Sequence, residues 1–203
     1  MSLLRFALAV AAAYLAGTIP TGVLLARISG WPDPRENGSG HTGALNTSRG
    51  SDLAGGALVL LLDVAKGLAA VWLAGLLSPN PWVIPLAGMA AIAGHIWPVW
   101  LGFSGGMGLA TGLGATVLAY PAIAFIGPAL FALARAFLVD RTPRAVVIAA
   151  LALPPVLFAL RADPVDFWLL AGDALLIALR HLSDWERAYG PGEAEAEQPR
   201  WSG

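Results

Sequence analysis

Two glycine-rich polar stretches carry the side chains best suited to chemistry. The first is Asn37-Gly38-Ser39-Gly40-His41-Thr42-Gly43-Ala44-Leu45-Asn46, with Ser48 and Arg49 close behind it. The second is Gly102-Phe103-Ser104-Gly105-Gly106-Met107-Gly108, which follows His95. Glycine lets a backbone turn tightly and offer its N–H groups to an anion. Hydroxyl, amide and guanidinium groups donate to phosphate oxygens, and arginine does so through a bidentate fork. These residue types therefore fit a site for an anionic head group. No Gly-Lys-Ser/Thr follows either stretch, so neither is a nucleotide-binding phosphate loop.

A third cluster, Arg180-His181-Leu182-Ser183-Asp184-Trp185-Glu186-Arg187, lies near the C-terminus. Helical spacing gathers Arg180, Asp184 and Arg187, with His181 one position round and close to Asp184. An exposed helix end has the same pattern, so the cluster points to chemistry only in combination with the two glycine-rich stretches. Asp63 and Lys66 are three apart and share a helix face inside an apolar run, where they can pair. That pair suits a structural tie between helices, with completion of a polar cavity as the other reading. His95 falls at the end of an apolar segment and needs a partner there; a backbone carbonyl would suffice. Asp173 has no partner in its own neighbourhood. The three histidines are enough in number for zinc, but they lie in separate segments without ligand spacing. No metal and no cofactor is expected.

The elements that must position these groups are membrane-like. Apolar residues make up 57% of the 203 and charged residues 12%, with a mean hydropathy of +0.69. A soluble domain carries roughly 25% charged residues. The net charge of -1 removes the basic footprint of a nucleic-acid binder. There is no cysteine, hence no thiolate nucleophile or disulfide framework. A bilayer crossing takes about 20 apolar residues. Seven segments are predicted: Leu3 to Ala26, Leu53 to Leu77, Trp82 to Leu101, a short Leu109 to Ala119, Pro121 to Leu138, Ala145 to Leu160 and Val165 to Leu179. The first is read as an uncleaved helix rather than a signal peptide, because its apolar character continues past Gly17.

The expected fold is therefore all-α, a polytopic integral membrane protein with about seven transmembrane helices. Arg27, Arg35, Arg49, Arg135, Arg141, Arg144, Arg180, Arg187 and Arg200 then share one side, leaving Arg5 and Arg161 on the other. The positive-inside rule puts the N-terminus outside and the C-terminus and both glycine-rich stretches in the cytoplasm. Most tryptophans fall near span ends, as interfacial belting requires. Residues 1–189 form one domain, and 190–203 read as a polar, disordered tail.

These segments, in this order, resemble the bacterial membrane glycerol-3-phosphate acyltransferases of the PlsY type, which use acyl phosphate as donor. The likeness runs through Gly17-Thr18-Ile19-Pro20-Thr21-Gly22 to Arg27, Gly38-Ser39-Gly40 to Arg49, and Leu62-Asp63-Val64-Ala65-Lys66-Gly67. It continues through Gly94-His95 to Gly114 and ends at Arg180-His181. The resemblance implies transfer of a fatty acyl group from acyl phosphate to the sn-1 hydroxyl of glycerol 3-phosphate, giving lysophosphatidic acid and phosphate. This is a step of phospholipid biosynthesis at the inner (plasma) membrane, with the active site facing the cytoplasm. Ser39, Arg49 and His181 are the implied catalytic residues. Gly38, Gly40, His41, Asn46, His95, Ser104, Gly105, Gly106 and Asp184 are the implied substrate-binding ones. A substrate phosphate oxygen is the implied acceptor of the hydroxyl proton. The partners are the two substrates and the bilayer.

The sequence departs from the family pattern at several of these positions. Ser104 and Met107 stand where the second motif has two lysines. His41 and Asp184 each replace an asparagine, and Leu45 replaces a threonine. A desolvated charge contact contributes about 1.5–3 kcal/mol, so these changes predict a remodelled phosphate pocket. A different acceptor, or lipid binding without catalysis, is the alternative reading. A small transporter with broken helices is a further one.

Overall fold

A computed structural model describes residues 2–117 and 120–189. The predicted tail, with Arg200 and Trp201, lies outside these residues, as does the end of the predicted fourth span. The described secondary structure is wholly helical. In chain order it comprises α1 (Ser2–Gly17), α2 (Thr21–Ser29), α3 (Ala44–Gly50), α4 (Leu53–Leu77), α5 (Val83–Ile96), α6 (Leu109–Thr116), α7 (Ile123–Phe137), α8 (Thr142–Ala159) and α9 (Pro164–Leu182). Single 3-10 turns occupy Pro34–Glu36 and Val99–Leu101.

The predicted first span is two helices bent by 41°. Pro20 has no N–H to donate, so the α-helical ladder stops before it and α2 starts afresh at Thr21. The break is held on both sides. Thr18 Oγ1 donates to the Leu15 carbonyl at 2.6 Å, and Trp100 Nε1 donates to Thr18 Oγ1 at 2.8 Å. Leu53–Leu77, Val83–Leu101 and Thr142–Ala159 are each long and apolar enough to cross a bilayer, and the bent pair makes a fourth if it is one span. The other predicted spans fall short of that standard. α7 has 15 residues, α6 has 8 and rises about 12 Å, and α9 carries Asp166, Asp173 and Arg180.

Two apolar groups hold the helices together. Ala9, Ala13, Ala70, Ala74, Val83, Ala87 and Ala91 pack between α1, α4 and α5. Such small residues let helix backbones approach, which is how helices associate where lipid removes the hydrophobic driving force. A Cβ on Gly94 would collide with the Tyr14 carbonyl of α1, so this crossing requires glycine. The second group joins α7, α8 and α9 through Ile123, Leu153, Leu157, Leu170 and Ala174. α5 touches α9 and α4 touches α6, which unites the two groups. Outward, Leu3, Leu61, Leu76, Phe125, Phe137 and Phe158 are largely exposed. An apolar exterior of this kind is a lipid-facing surface.

The segment between α2 and α4, read as a loop from sequence, contains the 3-10 turn and α3. Asp33 accepts from the Arg35 N–H at 2.9 Å and opens the turn. Asp52 accepts from the Gly55 N–H at 2.7 Å and starts α4.

Candidate functional site

The first glycine-rich stretch is folded by Asn46. Its Nδ2 donates to the carbonyls of Pro34 at 2.5 Å, Asn37 at 2.9 Å and His41 at 2.9 Å. Its Oδ1 accepts from the Ser39 N–H at 2.9 Å. Asn46 thus acts on the loop, with both ends of its amide engaged. Gly38 and Gly40 take positive φ values of 52° and 73°, which glycine alone adopts without strain. A Cβ on Gly38 would meet Asn46 and the Arg49 side chain, so Arg49 lies directly over this turn. The Ser39 hydroxyl is half-buried and makes no hydrogen bond among the described residues.

The second stretch doubles back over the end of α5. The Gly105 N–H donates to the Ile96 carbonyl at 3.0 Å, and the Gly106 N–H to the His95 carbonyl at 3.1 Å. Both glycines are buried, and a Cβ on Gly106 would enter the His95 ring. His95 therefore shapes the floor beneath this turn. Its Nδ1 lies 3.6 Å from Asp63 Oδ1. The same carboxylate oxygen accepts from Thr21 Oγ1 at 2.6 Å and pairs with Lys66 Nζ at 2.8 Å. The predicted Asp63–Lys66 pair is present, and it belongs to a larger buried polar network. Ser104, by contrast, is exposed, and its side chain makes no hydrogen bond among the described residues.

The C-terminal cluster closes over both stretches. Arg180 Nε donates to the Gly106 carbonyl at 3.2 Å, and its Nη2 lies 3.1 Å from His41 Nδ1. Arg187 Nη1 donates to the Ser39 carbonyl at 2.8 Å. His41 Nε2 is 2.6 Å from Asp184 Oδ2 across 143 residues. Asp184 stands 3.8 Å from Arg180 and 3.3 Å from Arg187, as helical spacing predicts. His181 makes no hydrogen bond to Asp184 among the described residues, although the carboxylate is near enough to act on it electrostatically. Its Nδ1 bonds the Ile177 carbonyl at 2.8 Å and the ring is buried.

Tyr189 is the residue that sequence reasoning missed. Its hydroxyl donates to Asp184 Oδ2 at 2.9 Å and sits 3.6 Å from Met107 Sδ. Arg49 donates to its backbone carbonyl. The available signal was a lone phenol two residues beyond Arg187, at the edge of the segment read as tail.

The electrostatics follow from this packing. Burial lowers the His41 pKa; Asp184 opposes this, and Arg180 and Arg187 add to it. Burial works against ionisation of Asp184, but the bonds from His41 and Tyr189 and the nearby Arg187 outweigh it, and its pKa is lowered. Burial and the bond to Asp184 raise the Tyr189 phenol. Asp184 is thus a carboxylate, and His41 is a neutral ring at neutral pH. Arg49, Arg180 and Arg187 supply positive charge at one mouth, beside the Ser39 hydroxyl. Such a mouth can hold phosphate oxygens.

Comparison with known proteins points the same way. The model of the glycerol-3-phosphate acyltransferase family matches residues 7–190. A glycerol-3-phosphate acyltransferase of Synechococcus sp. (strain CC9902) is 40% identical over 187 residues, covering 91% of this chain and 92% of its own. One from Salmonella paratyphi B is 48% identical over 103 residues, 51% of each chain. The crystal structure of PlsY (YgiH), an integral membrane glycerol 3-phosphate acyltransferase, in its glycerol 3-phosphate form matches with a TM-score of 0.77 at 28% identity. That match covers 94% of this chain and 98% of the other. The lysophosphatidic acid form matches with a TM-score of 0.74 at 27% identity, over 90% of each chain.

Proposed function

The chain belongs to the glycerol-3-phosphate acyltransferase family, and on that premise we propose how its site carries the reaction. It is an integral membrane enzyme of phospholipid synthesis that transfers an acyl group to glycerol 3-phosphate. Matches over nearly the whole chain favour this acceptor over a different one or a transport role.

The donor is an acyl phosphate. A mixed anhydride is already activated, so the protein needs no covalent nucleophile and has only to align two anions and stabilise the charge that develops. The observation that carries the reading is the meeting of three distant segments at one mouth, where Arg180 touches Gly106 and Arg187 touches Ser39. Arg49, Arg180 and Arg187 supply the positive charge that Ser104 and Met107 do not. The Ser39 hydroxyl and Arg49 hold phosphate oxygens. His181, whose Nδ1–H is committed to the Ile177 carbonyl, offers Nε2 to the glycerol backbone. His95 keeps the floor in shape from beneath Gly106. The chain crosses the inner membrane seven times, with this mouth in the cytoplasm.

Phosphate release from a long-chain acyl phosphate by the lipid-reconstituted protein tests the donor and the acceptor together. Release that depends on glycerol 3-phosphate and accompanies lysophosphatidic acid is expected. Release without acceptor dependence overturns the acceptor assignment, and no release with glycerol 3-phosphate present overturns the donor assignment. Arg49→Ala and His181→Ala are each expected to abolish turnover, and wild-type rates in both would remove these residues from the site.

A further inference from the structure

Asp184 is an awkward neighbour for an anionic substrate. It nevertheless lies at the centre of the mouth, accepting from His41, Tyr189 and Arg187. The two positions where the sequence exchanges asparagine for an ionisable group, His41 and Asp184, are hydrogen-bonded to each other at 2.6 Å. Their bonding also determines the tautomer. Arg180 Nη2, 3.1 Å from His41 Nδ1, can only donate, so Nδ1 carries the lone pair. Nε2 therefore holds the proton and donates it to Asp184. This is a carboxylate-backed imidazole whose basic nitrogen is covered by a guanidinium. A phosphate arriving at the mouth competes for that same guanidinium, with a charge-assisted bond stronger than the one to a neutral ring.

We propose that His41, backed by Asp184, is the general base that takes the proton of the acceptor hydroxyl, and that Arg180 covers its lone pair until an incoming phosphate draws the guanidinium away. The proposal rests on the acyl-transfer reading above. The acceptor oxygen bonds to the acyl carbonyl carbon as its proton passes to His41 Nδ1. The carbon–oxygen bond to the donor phosphate then breaks, and phosphate leaves with the electron pair. The imidazolium stays bonded to Asp184 through Nε2 and returns the new proton to the departing phosphate, which restores the neutral ring. In this route the protein, and not a substrate oxygen alone, accepts the proton first.

His41 suits the role better than His181. The imidazolium of His41 would face a carboxylate, whereas His181 is backed only by the neutral Ile177 carbonyl. The groups around His41 are accounted for on every side. Arg180, His181, Asp184, Arg187 and Tyr189 come from the C-terminal end, with the Tyr189 ring centroid 6.1 Å away and His181 near enough to interact electrostatically. Arg49 lies over the adjoining Gly38 turn. The second glycine-rich stretch brings no titratable side chain. Burial and the two arginines keep His41 neutral below its ordinary 6.5, which leaves it free to accept a proton at neutral pH.

The test is the pH dependence of turnover for reconstituted wild type, His41→Asn, Asp184→Asn and His181→Gln. Wild-type kcat/KM is expected to fall tenfold per pH unit below an inflection beneath 6.5. His41→Asn should lower kcat by about 10²-fold or more, change KM for glycerol 3-phosphate little, and lose the acid limb. Asp184→Asn should keep the limb but displace it to lower pH, because the imidazolium loses its partner. His181→Gln should keep any residual activity on the wild-type limb. A His41→Asn enzyme that retains kcat, retains the limb, or loses only affinity overturns the proposal. Should that variant not fold, 15N spectra of histidine-labelled wild type decide. Adding glycerol 3-phosphate must move the His41 Nδ1 resonance towards that of an unbonded lone pair, and an unmoved resonance overturns the cover. A wild type that makes no lysophosphatidic acid at any pH refutes the acyl-transfer reading instead.

Discussion

Lys66 Nζ donates at 2.9 Å to the carbonyl of Ile19, inside the break between α1 and α2. Pro20 cannot continue the ladder, so the chain there exposes carbonyls that a membrane interior leaves without water. An ammonium from α4 supplies one of the missing donors. Asp63 balances that charge and bonds Thr21 at the start of α2. The pair is therefore a clamp on a broken helix.

Removing one charge of this clamp should cost more than removing both. Lys66→Met leaves Asp63 buried without its counter-ion, and breaking a buried pair typically costs about 3–5 kcal/mol. The double variant Asp63→Asn/Lys66→Met leaves no uncompensated charge and should regain part of that loss. Thermal unfolding in detergent, followed by tryptophan fluorescence, gives the comparison. Equal losses in the single and double variants would show that the pair holds nothing together.

Gly106 separates the floor of the mouth from its fold. A Cβ there would enter the His95 ring, in the turn whose carbonyl Arg180 grips. Gly106→Ala should displace one or the other and lower turnover by at least about tenfold, since a 1 Å misplacement can cost 10²-fold. Gly127 in α7 has open space around its missing side chain. Gly127→Ala should leave turnover unchanged and gain up to about 1 kcal/mol of stability from helix propensity. Acyl-transfer rates and melting temperatures of the two variants check the contrast.

Acid should loosen the closure over the mouth in two stages. The folded pKa of His41 lies below its ordinary 6.5, so the unfolded chain binds the proton first. The stability it contributes is complete above that value and is lost as pH falls through the folded pKa. Asp184 is also lowered, so its contribution holds above the ordinary carboxylate value of 3.8 and goes as pH falls through the lower folded one. His41→Asn should therefore flatten the stability–pH curve below 6.5, and Asp184→Asn should flatten it only in stronger acid. Unfolding midpoints measured from pH 7 downward would reveal both. A His41→Asn curve parallel to the wild type would refute the first stage.

Some of this was legible in the residues and some was not, for reasons of distance. The Asp63–Lys66 pair and the grouping of Arg180, Asp184 and Arg187 follow from helical spacing alone, because their partners lie within one turn. The His41–Asp184 bond joins residues 143 apart, and no local pattern contains it. Helical spacing put His181 near Asp184 but could not show that its Nδ1 turns back to its own helix at Ile177. The break at Thr18-Ile19-Pro20 was hidden by hydropathy, which counts apolar side chains and ignores backbone hydrogen bonds. α3 was hidden because its 7 residues lie between glycines, where a loop is the usual reading.

The contacts at the mouth also bear on how many times the chain crosses the membrane. Arg187 meets Ser39 and Arg180 meets Gly106, so all three segments share one face. Between Ser39 and Gly106 lie α4 and α5, which make two crossings. Between Gly106 and Arg180, an even number is needed as well. The proposed arrangement counts α7, α8 and α9 as three and assigns the fourth to the segment containing α6, whose helix has 8 residues. With the bent α1–α2 pair taken as one span, the proposed total is seven and the N-terminus falls on the opposite face. The chain has no cysteine, so single substitutions report cleanly. In intact cells a membrane-impermeant maleimide should label Pro79→Cys and Pro164→Cys. It should reach Glu36→Cys and Ser104→Cys only after the inner membrane is opened. Labelling of Pro79→Cys but not Pro164→Cys in intact cells would mean that α6 turns back without crossing, and the seven-span arrangement would fall.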